Sequence, residues 1–125
     1  MINTIGKITV YVADQQQAKD FWINKIGFVL KFEQPMGPNL SWIEVAPSED
    51  EFTTLVLYSK SAMEKQNPSA VAHPSILFST TDIETAYEKM KQNEVEVEEM
   101  LKMPFGTMFT FKDQDGNRYI LREDK

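Results

Sequence analysis

The stretch Asp14–Phe28, DQQQAKDFWINKIGF, carries the reading of the fold. Asp14 is a good helix N-cap, because its carboxylate can accept the free amides of the first turn. Gln17 stands where the second member of a capping box belongs. Ala18, Phe21, Trp22 and Ile26 recur at helical spacing and form one apolar face. Gly27 follows at once and suits the left-handed conformation that ends a helix. On the N-terminal side, Ile8, Val10 and Val12 alternate with Lys7, Thr9 and Tyr11, which is strand periodicity. The chain therefore opens as strand, helix, strand, and a helix with one apolar face needs a sheet to cover.

Working outward, the first strand is expected over Ile5–Val12 and a second over Phe28–Glu33. Pro35, Gly37 and Pro38 break the ladder. Further strands follow over Leu40–Ala46 and Thr53–Tyr58. The segment 59–74, with its serines and prolines, reads as a connection with a helical turn around Ser61–Gln66. The pattern then returns. Ser75–Thr80 reads as a strand, and Asp82, or Thr81, caps a helix whose face is Ile83, Ala86, Tyr87 and Met90. Val95–Met100 and Gly106–Lys112 read as strands. The run Asp113-Gln114-Asp115-Gly116-Asn117 reads as a tight turn, and Tyr119–Arg122 as the closing strand. Overlaying Asp14 on Asp82 also places Ala18 on Ala86, Trp22 on Met90 and Val29 on Val97. The fold class is α+β: two tandem βαβββ modules, 1–58 and 75–125, joined by 59–74, in a single domain.

A chain of 125 residues with 42% apolar residues holds enough for one packed core. The net charge of −6, with no basic run, argues against nucleic acid as a partner. With no cysteine there is no disulfide framework, thiolate nucleophile or cysteine metal site. No signal peptide or membrane span is apparent, so the expected location is cytoplasmic.

These motifs together resemble the glyoxalase/bleomycin resistance protein/dioxygenase group, the vicinal oxygen chelate superfamily. The resemblance rests on Asp14, Ala18, Phe21, Trp22, Ile26, Gly27 and Phe28 in the opening helix, Thr81-Asp82-Ile83 before the second, and Asp113–Asn117 before the last strand. It covers nearly the whole chain, with Trp22 where a tyrosine is common. It implies two modules whose sheets curve around a shared cavity, completed in many members by a second subunit, and so a homodimer. Family enzymes hold a divalent metal with histidine and glutamate from four strands facing the cavity. Counted from the motifs, those positions are Lys7, Leu55, Ser75 and Ile120, with Thr54 or Val56 replacing Leu55 if the register slips. None is a credible ligand: lysine is cationic, leucine and isoleucine lack a donor, and neutral serine is weak. No metal and no cofactor are therefore expected.

Alternation suggests which other side chains face the cavity. On the first strand these are Lys7, Thr9 and Tyr11, and on the third Trp42 and Glu44. In the second module they are Ser75, Leu77 and Ser79, then Arg118, Ile120 and Arg122. Lys7, Thr9, Tyr11, Trp42, Glu44, Leu55, Ser75, Leu77, Arg118 and Ile120 are the candidate ligand-binding residues, a mixed surface suited to a small organic molecule. Each has a structural alternative. Trp42 can serve as core or interface, Lys7 and Glu44 as a structural ion pair, and Arg118 as a solvated strand end. His73 is the sole histidine and cannot build a metal site alone. The run Glu94, Glu96, Glu98 and Glu99 reads as a solvated strand face. Met100, Met103 and Met108 near Phe105 read as core filler, with an adaptable pocket rim as the alternative.

Bleomycin resistance proteins act by sequestration, and this chain resembles them in length, acidity and lack of ligands. The leading expectation is therefore binding without chemistry. The alternative is a lyase or isomerase of the same superfamily acting through Glu44 or Tyr11. A module whose cavity is filled by its own side chains is a third reading.

Overall fold

The computed structural model describes residues 1–124. The chain divides into two compact units, Met1–Pro74 and Ser75–Lys125. The first contains β1 (Lys7–Val12), α1 (Gln15–Asp20), β2 (Val29–Pro35), β3 (Ser41–Ala46), β4 (Thr54–Ser59) and α2 (Lys60–Gln66). The second contains β5 (Leu77–Ser79), α3 (Ile83–Gln92), β6 (Leu101–Met103), β7 (Gly106–Lys112) and β8 (Arg118–Asp124). Each unit has one four-stranded sheet, in the orders β1-β4-β3-β2 and β5-β8-β7-β6. The two orders are equivalent, and in both the first strand runs parallel to the last. The α+β reading and the repeat both hold.

In the first unit, the Asp14 carboxylate accepts the amides of Gln16 and Gln17. The α-helix runs only to Asp20, however, and Phe21–Ile26 winds into a π-helix before Gly27, at φ 93°, stops it. The wider turn brings Phe21 and Trp22 inward together, at 5% and 0% exposure. Trp22 packs against Phe21 and Phe28. Val10, Val12, Ile43, Val45, Leu55 and Leu57 are buried with them, and complete burial of each such side chain contributes about 1.5–3 kcal/mol. β1 begins at Lys7 rather than Ile5, which is exposed. In β2 the pairing shifts between Leu30 and Phe32, so Leu30 pairs with Val45 but Phe32 with Glu44. That bulge moves Phe32 to the sheet face opposite the helix.

In the second unit, Asp82 caps α3 through the Thr85 amide. Phe78, Phe111 and Tyr119 form a stack beneath the sheet. The expected strand Val95–Met100 is replaced by β6 at Leu101–Met103. Glu94 adopts φ 62° and the Val95 amide is spent on the Met90 carbonyl, closing α3. Among the described residues the segment then meets β7 by the Val97–Phe111 bridge, by two flanking backbone hydrogen bonds, from Glu98 to Thr110 and from Lys112 to Glu96, and by the Lys112–Glu96 ion pair at 2.9 Å. The Asp113–Asn117 turn is built on the buried Asp113 carboxylate. It accepts the amides of Asp115 and Asn117, the Asn117 side chain, and the Tyr119 hydroxyl at 2.6 Å.

Candidate functional site

Residues paired across strands share a sheet face, so the register says which side chains meet. β1 and β4 pair Lys7 with Thr54, Thr9 with Val56 and Tyr11 with Tyr58. β3 and β4 pair Glu44 with Val56, and β2 adds Phe32 beside Glu44 and Gln34 beside Trp42. One face of the first sheet therefore carries Lys7, Thr9, Tyr11, Thr54, Val56, Tyr58, Trp42, Glu44 and Phe32. Leu55 is not on it. It pairs with Ile8 and Val45 on the helix-covered face. The expected site position at Leu55 is corrected to its neighbours, because a shift of one residue in a strand reverses the face.

Glu44 is the centre of this face, at 8% exposure. One carboxylate oxygen accepts from Lys7 Nζ at 2.9 Å and from the Thr54 hydroxyl at 2.9 Å. The other accepts from Trp42 Nε1 at 2.8 Å. Burial pushes the Glu44 pKa up, but the hydrogen bonds from Trp42, Lys7 and Thr54 and the Lys7 charge outweigh it, so the net shift is downward. The carboxylate is thus held ionised with three of its acceptor positions engaged. A general base needs a pKa near the working pH, and the shift of Glu44 runs the other way.

Beside Glu44 lies an aromatic group. Tyr58 stands edge-on to Trp42 at 6.0 Å and to Tyr11 at 6.4 Å between ring centroids. Trp42 and Tyr11 are half-buried, whereas Tyr58, Val56 and Thr54 are buried. Tyr58 and Phe32 escape the sequence reading, and Thr54 enters it only as a register-slip alternative to Leu55. The alternation on β4 would have found Tyr58 and chosen Thr54 once its parity had been tied to Lys7. At the end of β3 and β4 a cleft of ≈ 420 Å³ opens among Asp14, Gln15, Pro35, Asn39, Ser41 and Ser59. It does not include the expected site residues.

In the second unit, Leu77 pairs with Ile120, and Ile120 with Thr110, on the face away from the aromatic stack. Leu77 is half exposed, and Arg118 is ion-paired with Glu98 at 2.9 Å. Ser75 precedes β5 and is exposed. Arg122, on the same face, lies 4.4 Å above the Phe105 ring centroid. Phe105 is 47% exposed, and Met100, Met103 and Met108 are only half-buried, so the expected core filler lies at the surface.

Taken one by one, the expected metal positions are poor ligands for a divalent cation. Lys7 is an ammonium bound to Glu44, Val56 and Ile120 have no donor, and Thr54 and Ser75 offer a neutral hydroxyl. Among the described residues no group of three or more His, Cys, Asp or Glu is placed to hold a metal. Among them, too, no helix is long and apolar enough to cross a membrane.

Residues 4–121 match the glyoxalase/bleomycin resistance protein/dioxygenase superfamily. The chain belongs to that superfamily. Relatives include the uncharacterized protein YetH of Bacillus subtilis (strain 168), 48% identical over 98% of this chain and 100% of that one. Among solved structures, TnmS3, an antibiotic binding protein from Streptomyces sp. CB03234, superposes with a TM-score of 0.82 at 29% identity over 99% of this chain and 98% of that one. A glyoxalase/bleomycin resistance protein from the same organism gives 0.75 at 30% identity over 95% of this chain and 99% of that one. The two four-stranded sheets with their helices are the vicinal oxygen chelate fold of these superfamily members.

Proposed function

We propose that this superfamily member binds a small organic molecule and does not transform it, in the manner of a sequestering or resistance protein. The observation that carries this reading is the Glu44 carboxylate. It is ionised and occupied by Lys7, Thr54 and Trp42, which makes it a fixed part of a surface rather than a proton carrier. Around it, Trp42, Tyr58, Tyr11 and Phe32 supply apolar and aromatic area, the chemistry expected of an organic ligand site. Lys7, Thr9, Tyr11, Trp42 and Glu44 remain in the proposed site, with Thr54, Val56 and Tyr58 in place of Leu55. For the second unit, taken by itself, the proposal keeps Leu77, Ile120 and Arg118, which share one face of its sheet, and Ser75 just before β5. The similarity to an antibiotic binding protein supports the same class of ligand. The proposed assembly is a homodimer in the cytoplasm.

Thermal-shift screening of a library of planar organic compounds tests the reading, with Trp42→Ala as the control. A ligand that stabilises the wild type and not Trp42→Ala supports it. Stoichiometric retention of added nickel, zinc, manganese or iron through dialysis, measured by elemental analysis, overturns it in favour of the metal-dependent lyase or isomerase.

A further inference from the structure

We propose that Gln15 is a positioning residue that sets the aromatic floor formed by Trp42 and Tyr58. The inference deepens the binding reading above and rests on it. Among the described residues, the β3–β4 ladder consists of Val45–Leu55 and Glu44–Val56. Beyond it the two strands continue to Trp42 and Tyr58, and there the Gln15 side chain bridges them. Its Nε2 donates to the Ser41 carbonyl at 2.7 Å and to the Leu57 carbonyl at 2.8 Å, while its Oε1 accepts from the Ser41 amide at 3.0 Å.

Both amide protons and the carbonyl oxygen of Gln15 are engaged, so the group has one orientation. The two carbonyls belong to the peptide bonds that lead into Trp42 and Tyr58. Holding them on one nitrogen fixes the distance between the backbones that carry the rings. Those rings stand at 6.0 Å and 62° to each other. Gln15 is the first residue of α1, directly after the Asp14 cap, so the clamp is anchored in a helix end.

The neighbouring space makes the clamp necessary. The ≈ 420 Å³ cleft is walled by Gln15, Ser41 and Ser59. Without the carboxamide, the ends of β3 and β4 have open volume beside them and no rung between them. Glutamine alone meets the need, since glutamate cannot donate, asparagine is one methylene shorter, and methionine does neither.

The test compares wild type with Gln15→Glu and Gln15→Met by NMR, reading the Trp42 indole resonance and its cross-peaks to the Tyr58 ring. Binding of the aromatic probe 8-anilinonaphthalene-1-sulfonate is measured in parallel. Gly106→Ala, in the other unit, serves as the control for destabilisation without clamp loss. The expected result is displaced indole signals and lost cross-peaks in both Gln15 variants, unchanged in Gly106→Ala, with probe affinity about tenfold weaker for the loss of these hydrogen bonds. Wild-type cross-peaks in either Gln15 variant, or the same losses in Gly106→Ala, overturn the positioning role. If wild type does not bind the probe and no screened compound binds, the binding reading fails, and the cross-peaks still decide the clamp.

Discussion

Removing the Glu44 carboxylate should destabilise the protein at neutral pH and much less in acid. Glu44→Ala strands three donors. The Thr54 side chain belongs to a residue only 4% exposed, and the Trp42 indole is half-buried. Leaving a buried donor unpaired costs about 1–3 kcal/mol. The Lys7 side chain is 51% exposed, so water replaces its partner and its loss stays below about 1 kcal/mol. The total is about 2–4 kcal/mol, or a fall in Tm on the order of 10 °C for a chain of this size. Glu44→Gln keeps the shape but turns an N–H toward one of the donors, so about 1–2 kcal/mol is expected.

The pH dependence has a definite sign. The folded-state pKa of Glu44 is below its ordinary value of 4.5. Its stabilisation is therefore complete above that value and is lost as pH falls through the lower, folded one. Urea unfolding of wild type and Glu44→Gln, followed by tryptophan fluorescence at pH 7 and again near pH 3, measures this. Other carboxylates titrate in both proteins and cancel in the difference. The stability gap should be widest at pH 7 and shrink in acid. A gap independent of pH, or a loss below about 0.5 kcal/mol for Glu44→Ala, would falsify the view of Glu44 as an ionised hub.

Three further outcomes follow from other parts of the molecule. Trp22, with no exposure, should cost about 3–5 kcal/mol when changed to alanine, whereas half-buried Trp42 should cost less than about 2 kcal/mol; thermal denaturation of the two variants ranks them, and equal losses would make Trp42 a core residue. Gly106→Ala should destabilise by about 2–4 kcal/mol, because a Cβ there would lie 2.4 Å from the Glu123 carbonyl oxygen, while Gly6→Ala, with nothing within 4 Å, should be nearly neutral. Tyr119 is raised far above its ordinary value of 10.0, by burial first and then by the Asp113 hydrogen bond and charge. Ultraviolet titration should show that Tyr119 ionises only on unfolding, and stability should decline above about pH 10 as the unfolded state alone loses that proton. Tyr119→Phe should abolish that resistant ionisation and cost about 1–2 kcal/mol.

Much of this was legible along the chain because it is local. Asp14 and Asp82 mark helix starts, Gly27 marks a stop, and the alternation of Lys7–Val12 gives each residue its face. Those signals depend only on neighbours in sequence, so they identified the repeat, the α+β class and the superfamily. The tertiary structure decided what depends on pairing between distant segments. Leu55 changed faces because register is set by the partner strand, not by the strand's own composition. Val95–Met100 lost its ladder because the Val95 amide was needed to close α3. Phe21 and Trp22 share the core through a π-helical turn that no propensity signals. Trp42 reaches Glu44 from two residues away on the same strand, but the Lys7 and Thr54 donors and the Gln15 bridge join different elements, and only folding brings those groups within hydrogen-bond reach.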